Sequence, residues 1–411
     1  MLGTLVVAAA LATGVSEADK AAAARSAAVA ALGPTVTWTK HTSAGKKNWN
    51  GITSDVTGLR LAAGVVFGRI HTSTNGGESW TEQQASGKRV WRSLDSSNSG
   101  GRLVASELAQ DSTDIHVSSD GGNTWTRKND RTDNTLNSAT CDRTCQTIAV
   151  AVFDPDTSDW APPLVSTDAG DTWETTFVQT PPMAAGPVLA ISKDTGPNKL
   201  PLTMISSEKF YKSIAIKRGT NAWARALSIG DDADVFNGVG VNADGTVMVA
   251  ATGGLPGKAG VFYVSTNRGN SWTKHAIVPE GGVGAGDKVT SPDRSVAISH
   301  SGKTLAVTYY VQAADNSKKN HGVLVSLDGG VSWAKQSLDV PDGAEYLSVA
   351  VSGDGTRIVV TARGGYIYTG VVNPLPGPAD WLAWEYQTAM GVALGATAAG
   401  VPIGTAALRE K

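Results

Sequence analysis

The chain has 411 residues, of which 47 are glycine, 12 are tryptophan and only 18% are charged. This composition is typical of a turn-dense all-β chain. The net charge of −2, with both signs interspersed and no basic track, gives no support to nucleic-acid binding. Length alone favours two or three domains, but a closed repeat architecture of this size forms a single unit.

The N-terminal segment, 1–34, lies outside the repeated part of the chain. Residues 2–14 form an uncharged run with the length of a signal-peptide core, and small residues follow it. No Lys or Arg precedes this run, and the Ala-rich stretch 16–32 also fits a loose helix or linker. Two interpretations therefore stay open, a signal segment followed by a linker and a linker alone.

A short β-rich run, 35–40, precedes the repeats and has no neighbour of its own. Its Trp38 resembles the tryptophan that marks the last strand of the later repeats. Because the final repeat lacks a fourth strand, we expect this run to complete that repeat and to close the ring.

The pattern Ser-x-(Asp/Asn)-x-Gly-x-(Ser/Thr)-Trp occurs five times. Successive copies start 45, 48, 99 and 61 residues apart, and the gap of 99 is about two periods. A period of about 40–50 residues built from short apolar runs is typical of propeller blades. The shared positions are Ser73, Asn75, Gly77, Trp80, Ser118, Asp120, Gly122, Trp125, Ser166, Asp168, Gly170, Trp173, Ser265, Asn267, Gly269, Trp272, Ser326, Asp328, Gly330 and Trp333.

The residue types of this pattern indicate a turn and not a reaction centre. Ser and Asx side-chain oxygens accept backbone N–H groups, the Gly adopts a backbone angle that other residues avoid, and the Trp buries apolar area between sheets. Asn75 and Asn267 stand where the other copies have Asp. A general acid or a metal ligand would not tolerate that exchange, so we interpret the pattern as structural.

The pattern resembles the Asp-box, or BNR, repeat of sialidases, sortilin-type receptors, xyloglucan-active hydrolases and lumenal photosystem II assembly factors. The resemblance covers most of the chain and implies a β-propeller. It also implies that the boxes lie on the face away from the ligand site.

Each box ends a longer unit of short strands, and a degenerate unit without the Asx fills the long gap. We predict an all-β fold, a single seven-bladed β-propeller of four-stranded blades whose last blade is completed by the N-terminal strand. The predicted division is 1–34 candidate signal segment and Ala-rich linker, 35–372 propeller, and 373–411 Pro-rich linker and uncharged C-terminal segment, a candidate membrane anchor. The predicted repeats are 48–84, 89–129, 136–177, 187–227, 236–277, 294–338 and 346–370.

The two cysteines, Cys141 and Cys145, flank the first turn of the third repeat. Their closeness at a hairpin tip favours a disulfide, which would place the protein in an oxidising compartment, secreted or lumenal. The alternative is two buried thiols in a reducing compartment.

Ligand sites of propellers usually lie on the face that carries the loops between second and third strands and between blades. We predict a glycan or protein ligand there, held by an aromatic rim, although the same rings also fit gap-filling between blades. The candidate ligand-binding residues are Trp49, Trp91, Trp160, Phe236, Tyr310 and Tyr346.

A glycoside hydrolase is the alternative function, and it would need two carboxylates from distant loops. Asp156 or Asp159 with Asp232 or Asp287 are the candidate pairs. The sialidase motif Phe-Arg-Ile-Pro has only a scrambled counterpart in 67–71, and no arginine clamp can be assigned. No cofactor motif and no metal-spaced His/Cys set occurs, and the six histidines stand singly.

The C-terminal stretch 386–408 carries no charge, begins with Tyr386 and follows Trp381 and Trp384. It has the length of a membrane span, but its Ala, Gly and Thr content equally fits a flexible tail or a packed helix. Together these patterns predict a non-catalytic, monomeric, extracytoplasmic or lumenal binding propeller. The alternative functions are the hydrolase and a photosystem II assembly-type scaffold.

Overall fold

Short apolar runs bounded by Gly, Ser, Asp and Asn form strands throughout the computed structural model of the protein. Within the described residues there are 29 strands and one 3-10 helix, Gln84–Ser86. The predicted all-β class is confirmed. The structure describes residues 35–108, 114–128, 135–154, 159–175, 188–194, 202–208, 212–229, 235–279, 282–292, 295–315, 318–341 and 344–373.

The chain divides into two units, Val36–Val372 and a unit of both chain ends, Met1–Thr35 with Asn373–Lys411. The first unit contains the strands, and the fold below is that of this unit. The predicted signal segment and the predicted membrane contact, 386–408, lie outside the described residues. In the part of the chain that the structure describes, no helix is long and apolar enough to span a membrane.

The strands are short, most of them between three and nine residues. The first thirteen are β1 (Thr35–His41), β2 (Lys47–Ser54), β3 (Leu61–Gly68), β4 (Ile70–Ser73), β5 (Thr81–Glu82), β6 (Arg89–Ser96), β7 (Leu103–Glu107), β8 (Ile115–Ser118), β9 (Thr126–Arg127), β10 (Thr135–Cys141), β11 (Ile148–Asp154), β12 (Asp159–Ser166) and β13 (Glu174–Thr175). The remaining sixteen are β14 (Leu189–Ile191), β15 (Thr203–Glu208), β16 (Ser213–Arg218), β17 (Ala224–Ser228), β18 (Phe236–Val241), β19 (Met248–Thr252), β20 (Gly260–Ser265), β21 (Thr273–Ile277), β22 (Lys288–Thr290), β23 (Val296–Ile298), β24 (Leu305–Gln312), β25 (Lys318–Ser326), β26 (Ala334–Gln336), β27 (Glu345–Val351), β28 (Arg357–Gly365) and β29 (Ile367–Asn373).

Consecutive strands pair antiparallel in successive small sheets. Strands β10 to β13, β14 to β17 and β18 to β21 each form a four-stranded sheet, and β22 to β26 form a five-stranded one. The extra strand β22 is a feature that the predicted sixth repeat does not include. Two additional ladders, β28 with β2 and β3 with β6, link the strands of the first, second and last repeats into one larger sheet.

The apolar core lies between neighbouring sheets. Ala62 of β3 packs in one cluster with Trp91 of β6, and Phe262 of β20 packs in another with Leu305 of β24. Burying one large apolar side chain contributes about 1.5–3 kcal/mol, so these sheet-to-sheet contacts hold the unit together.

The N-terminal strand pairs with the last repeat, as the sequence predicts, because β1 is hydrogen-bonded to β29 beside β28 and β27. Trp38 of β1 donates its indole N–H to Gln336 Oε1 at 3.1 Å. His41 Nε2 lies 2.6 Å from Thr369 Oγ1 of β29. Residues from the two ends of the unit are therefore held side by side.

The five boxes share one set of hydrogen bonds. The Ser hydroxyl accepts the N–H of the fifth-position Gly at 2.7–2.9 Å and donates to the Asx side-chain oxygen at 2.7–3.0 Å. That oxygen accepts the N–H of the seventh residue at 2.8–3.0 Å. These bonds account for the Ser, Asx and Gly of the pattern.

The exchange of Asp for Asn follows from the hydroxyl at the seventh position. Asn75 donates its side-chain N–H to the Ser79 hydroxyl at 3.0 Å, whereas Asp120 accepts the Thr124 hydroxyl at 2.7 Å. A hydroxyl both donates and accepts, so either Asx residue completes the turn.

The fourth box residue also has a left-handed backbone, which the sequence pattern does not reveal. Ala169 and Arg268 have φ values of 63° and 64°. In every box the N–H of this residue donates to a carbonyl of the first turn of its own repeat, at 2.8–2.9 Å. The pairs are Gly76 with Leu59, Gly121 with Gly101, Ala169 with Gln146, Arg268 with Thr246 and Gly329 with Lys303.

The first turns, which follow the first strand of each repeat, are joined to one another by a closed cycle of main-chain hydrogen bonds that we call the turn ring. The first strands β2, β6, β10, β14, β18, β23 and β27 contact one another in the same order, and β27 contacts β2. The bonds of the turn ring are Val56 N to Asn98 O (2.9 Å), Asn98 N to Arg143 O (2.8 Å), Arg143 N to Lys193 O (3.1 Å), Asp194 N to Ala243 O (2.8 Å), Ala243 N to His300 O (3.2 Å), His300 N to Gly353 O (2.9 Å) and Asp354 N to Val56 O (2.8 Å).

Two adjacent glycines of the second box differ in what a side chain would meet. Gly122 has a φ of 99°, and an added Cβ would lie 2.9 Å from Thr72 Cγ2, whereas at Gly121 (φ 73°) the nearest atom is 3.8 Å away. We expect Gly122→Ala to lower the free energy of unfolding by about 2–3 kcal/mol through strain and overpacking. Gly121→Ala should cost about 1 kcal/mol or less. Urea unfolding midpoints test the pair, and equal losses would contradict this account of the box.

The boxes also predict a dependence of stability on pH. The Thr172 hydroxyl and N–H, with the Ser166 hydroxyl, donate to the Asp168 carboxylate and lower its pKa to about 2. An unfolded Asp has a pKa of about 3.9, so this stabilisation is present above about pH 4 and is lost as the pH falls toward 2. Above about pH 4 we expect Asp168→Asn to be less stable than the wild type. This difference in stability should shrink as the pH falls toward 2.

The measurement is the melting temperature of wild type and variant at several pH values between about 2 and 6. The reverse change, Asn267→Asp, is the matched control and should add acid sensitivity. Parallel pH curves for all three proteins would rule out a contribution from the box carboxylates.

Candidate functional site

The hydrogen bonds between boxes and first turns define the two faces of the unit. The first turns and the boxes share one side, which we call the box face. The connections between second and third strands, and those that lead into each first strand, lie at the other ends of the strands. We call this second side the loop face.

A cavity of about 180 Å³ is lined by residues of the first strands and first turns of every repeat. Toward the box face it contains an ion pair, with Lys193 Nζ at 2.8 Å from both carboxylate oxygens of Asp95. The ammonium group also donates to Cys141 O at 2.8 Å. Asp95 accepts the Thr140 hydroxyl and the Cys141 N–H, each at 2.9 Å. The pair is thus fully hydrogen-bonded, and both of its residues line the cavity.

The disulfide lies beside this ion pair. Cys141 Sγ and Cys145 Sγ are 2.01 Å apart, and both residues are fully buried. The turn that they bracket carries Arg143, a member of the turn ring. The bond therefore fixes a turn that contacts both Asp95 and Lys193.

The predicted aromatic rim is wrong for three of its residues. Trp49, Trp91 and Phe236 are at most 1% exposed, because the first strands turn these side chains into the spaces between sheets. Trp49 packs edge-on against the His71 ring at 5.1 Å, and the other two also contact neighbouring rings. The gap-filling interpretation applies to all three.

The other predicted ligand residues have different positions. Tyr310 is half-buried on β24, opposite His321 of β25. Trp160 lies in β12 and Tyr346 in β27, and their side chains lie outside what the structure describes.

The predicted carboxylate pair is not assembled by the described residues. Asp156 and Asp232 lie outside them, and Asp159 is described only as a backbone position of β12. Asp287 is half-buried in a loop where its carbonyl accepts the Gly257 N–H at 2.7 Å. The pairing of these acids stays a prediction.

A group of basic side chains on the loop face was missed by sequence reasoning. The ladder between β2 and β28 sets Asn48 opposite Arg363, and the ladder between β3 and β6 sets Gly68 opposite Arg89. Long-range pairing thus brings together basic residues of the last, first and second repeats. We call this group the basic edge, and its members are Lys46, Lys47, Arg69, Lys88, Arg89 and Arg363.

Only part of this charge is neutralised. Arg69 pairs with Glu82 at 2.7 Å, and Arg89 pairs with Glu107 at 2.8 Å. Within the described residues the other four members of the basic edge have no ion pair. A sequence signal existed, because a basic dipeptide precedes both first-strand tryptophans, at 46–47 and at 88–89.

Phe67 stands at the hairpin tip beside the basic edge. It is 79% exposed and has a φ of 58°, which costs a non-glycine residue about 1 kcal/mol or more. Phe67 is thus an exposed aromatic ring in a strained backbone conformation, next to Arg69 of the basic edge in the chain.

No known family model matches the chain, and no curated protein matches it. Solved structures do match. The GH74 xyloglucanase from Xanthomonas campestris has a TM-score of 0.58 at 14% identity, over 81% of this chain and 53% of that one. YCF48 from Cyanidioschyzon merolae has a TM-score of 0.54 at 13% identity, over 81% and 98%. YCF48 bound to D1 peptide has a TM-score of 0.53 at 13% identity, over 82% and 97%.

At these identities the likeness shows the fold alone. Both kinds of neighbour are β-propellers, and the described unit of this chain is therefore a β-propeller. The chain spans about half the length of the GH74 enzymes that it matches.

The Lys193–Asp95 pair generates a prediction about stability. Each side chain is 19% exposed, so Lys193→Met leaves a mostly buried carboxylate without its cation. We expect the free energy of unfolding to fall by about 2–4 kcal/mol, which is at or below the loss for a fully buried ion pair. Urea unfolding midpoints measure this loss. The matched control is Lys40→Met, which removes a pair to the 87% exposed Asp339 and should change stability by less than about 0.5 kcal/mol. Equal losses in the two variants would contradict a stabilising role for the Lys193–Asp95 pair.

Proposed function

We propose that this protein is a non-catalytic, seven-bladed β-propeller that binds an acidic segment of a protein partner at its loop face. The observation that carries the proposal is the basic edge beside the exposed Phe67, because four of its cations have no ion pair within the described residues. The box face and the cavity supply the rigid frame, and the loop face supplies the contact.

Seven blades are supported by the seven bonds of the turn ring and by the matching cycle of first-strand contacts. The pairing of β1 with β29 supports a last blade completed from the N-terminus. Asp boxes in five of the repeats support membership of the Asp-box propellers.

The charge distribution favours an anionic ligand. Lys46 and Lys88 precede the adjacent first strands β2 and β6, and Lys47 begins β2. Arg363 is held next to β2 by the β2–β28 ladder. Like charges clustered on one surface raise the local potential and speed the approach of an acidic partner. Phe67 can then contribute apolar contact area, as aromatic anchors do in interfaces.

A protein ligand is better supported than a neutral glycan. Three of the rings predicted to stack on sugars are buried in the core, whereas charge is the exposed feature. A structural neighbour, YCF48, is known bound to D1 peptide, which supports a peptide-binding role for a propeller of this size. A photosystem II assembly-type scaffold is one form of this function, although no residue here singles it out.

We also propose an extracytoplasmic or lumenal location and a monomeric propeller. The buried bond between Cys141 and Cys145 supports an oxidising compartment.

Glycoside hydrolysis is the second candidate function. The likeness to GH74 enzymes favours it, together with the acidic loops that include Asp156 and Asp232. Release of reducing ends from xyloglucan oligosaccharides, lost in an Asp156→Asn or Asp232→Asn variant, would support this activity over the binding function.

Binding to a fluorescein-labelled peptide of alternating Glu and Ala tests the main proposal. We expect the wild type to bind it and the Lys47→Glu/Lys88→Glu variant to bind at least about tenfold more weakly, with both affinities falling as salt rises. Phe67→Gly should weaken binding while keeping or raising the melting temperature, because it removes backbone strain. Fluorescence anisotropy gives the affinities.

The matched control is Lys303→Glu, which makes the same charge change on the box face and should leave the affinity within about twofold of the wild type. If Lys303→Glu weakened peptide binding as much as the Lys47→Glu/Lys88→Glu variant, net charge and not the basic edge would account for the affinity. The proposal is overturned if the wild type binds the Glu peptide no more tightly than the matching Gln peptide.

A further inference from the structure

A buried cluster of two carboxylates and one imidazole lies in the second repeat, at the loop-face ends of β7 and β8. Glu107 ends β7, Asp114 immediately precedes β8, and His116 is the second residue of β8. Their exposures are 7%, 4% and 5%. The proposed ligand surface does not require these three groups.

The three side chains converge on one point. One ligand atom from each lies within 4.8 Å of the other two, and His116 Nε2 is 2.8 Å from Glu107 Oε2. A point equidistant from three atoms at that maximum spacing lies about 2.8 Å from each, and zinc bonds to nitrogen and oxygen are about 2.0–2.2 Å long. Small side-chain rotations therefore bring all three atoms to bonding distance of one ion.

The cluster also contains an acceptor without a partner. Asp114 Oδ2 pairs with Arg127 Nε at 2.8 Å, but its Oδ1 is buried and has no hydrogen-bond partner among the described residues. Trp91 Nε1 likewise has none, and the Trp91 ring packs 5.2 Å from the His116 ring. Buried polar atoms of this kind are rare in native proteins, and an ion or a water accounts for many of them.

We propose that Glu107, Asp114 and His116 form a binding site for a divalent transition-metal ion of the zinc class, with Asp114 Oδ1 as one ligand and water completing the shell. One imidazole nitrogen with two carboxylates is a donor set of such ions, whereas Mg²⁺ and Ca²⁺ prefer oxygen alone.

Two guanidinium groups control access to these carboxylates. Arg89 Nη1 lies 2.8 Å from Glu107 Oε2, and Arg127 Nε lies 2.8 Å from Asp114 Oδ2. The arginine side chains are 38% and 49% exposed, so each can turn toward solvent. A metal ion and the arginines compete for the same oxygens, and removal of an arginine should tighten metal binding.

The first repeat offers a matched position without the site. His71 packs edge-on against Trp49 at 5.1 Å, as His116 does against Trp91 at 5.2 Å. Arg69 stands in the place of Asp114 before the same Ile-His dipeptide. His71 Nε2 lies 3.8 Å from Glu82 Oε2, whose side chain is 37% exposed.

The test uses the full chain freed of metal by a chelator and then titrated with ZnCl₂. We expect saturable binding of one ion per chain by calorimetry and a rise in melting temperature that follows the zinc concentration. His116→Gln and Glu107→Gln should weaken zinc binding by about 10–100-fold. Cobalt(II) should give a visible absorption band that His116→Gln removes.

Two further variants separate a metal site from a purely structural ion network. His71→Gln should keep the wild-type zinc affinity, and Arg127→Ala should tighten it by about tenfold or more because a competing cation is gone. If His116→Gln does not fold, the zinc affinity of Arg127→Ala still tests the proposal. The proposal is overturned if wild type and Arg127→Ala show no saturable zinc binding, if the affinity is unchanged in His116→Gln and Glu107→Gln, or if Mg²⁺ raises the melting temperature as much as Zn²⁺.

Discussion

The turn ring is the constraint on which the rest of the structure depends. Its bonds join main-chain atoms, so they fix the spacing of the first turns without requiring any particular side chain. This explains how turns as different as those at Asp55, Ser97 and Lys193 occupy equivalent places. Once the turns are aligned, the first strands surround a common cavity. The Lys193–Asp95 pair, which lines this cavity, then joins the fourth repeat to the second.

The boxes tie the outer strands to the same ring. The fourth-residue N–H of each box reaches a carbonyl of the first turn, so both hairpin ends of a repeat are fixed on one face. The loop face has no comparable set of bonds within the described residues. It is held instead by the two ladders of β28 with β2 and of β3 with β6, and these ladders gather the basic edge. A rigid face and a face free to vary follow from the same architecture.

The sequence predicts what local hydrogen bonds decide and misses what distant strands decide. The boxes were readable because Ser, Asx and Gly make their bonds within eight residues. The first-strand aromatics Trp49, Trp91 and Phe236 were misplaced because a strand position does not say whether a side chain faces the mouth or the neighbouring sheet. The basic edge needed the register of β2 with β28, which joins residues more than 300 positions apart. Glu107 and His116 are only nine positions apart, but their convergence depends on the register of β7 with β8, which the sequence does not give.

The pairing of β1 with β29 has a consequence for how the chain folds. The partner of the first strand is made last, so β1 waits unpaired while the intervening sheets form. Contacts between such distant segments are slow to form because a long loop must close first. Until β29 has been made, the edges of β1 stay open to pairing with other chains. Correct folding of the unit therefore requires β1 to remain unpaired until β29 has been synthesised.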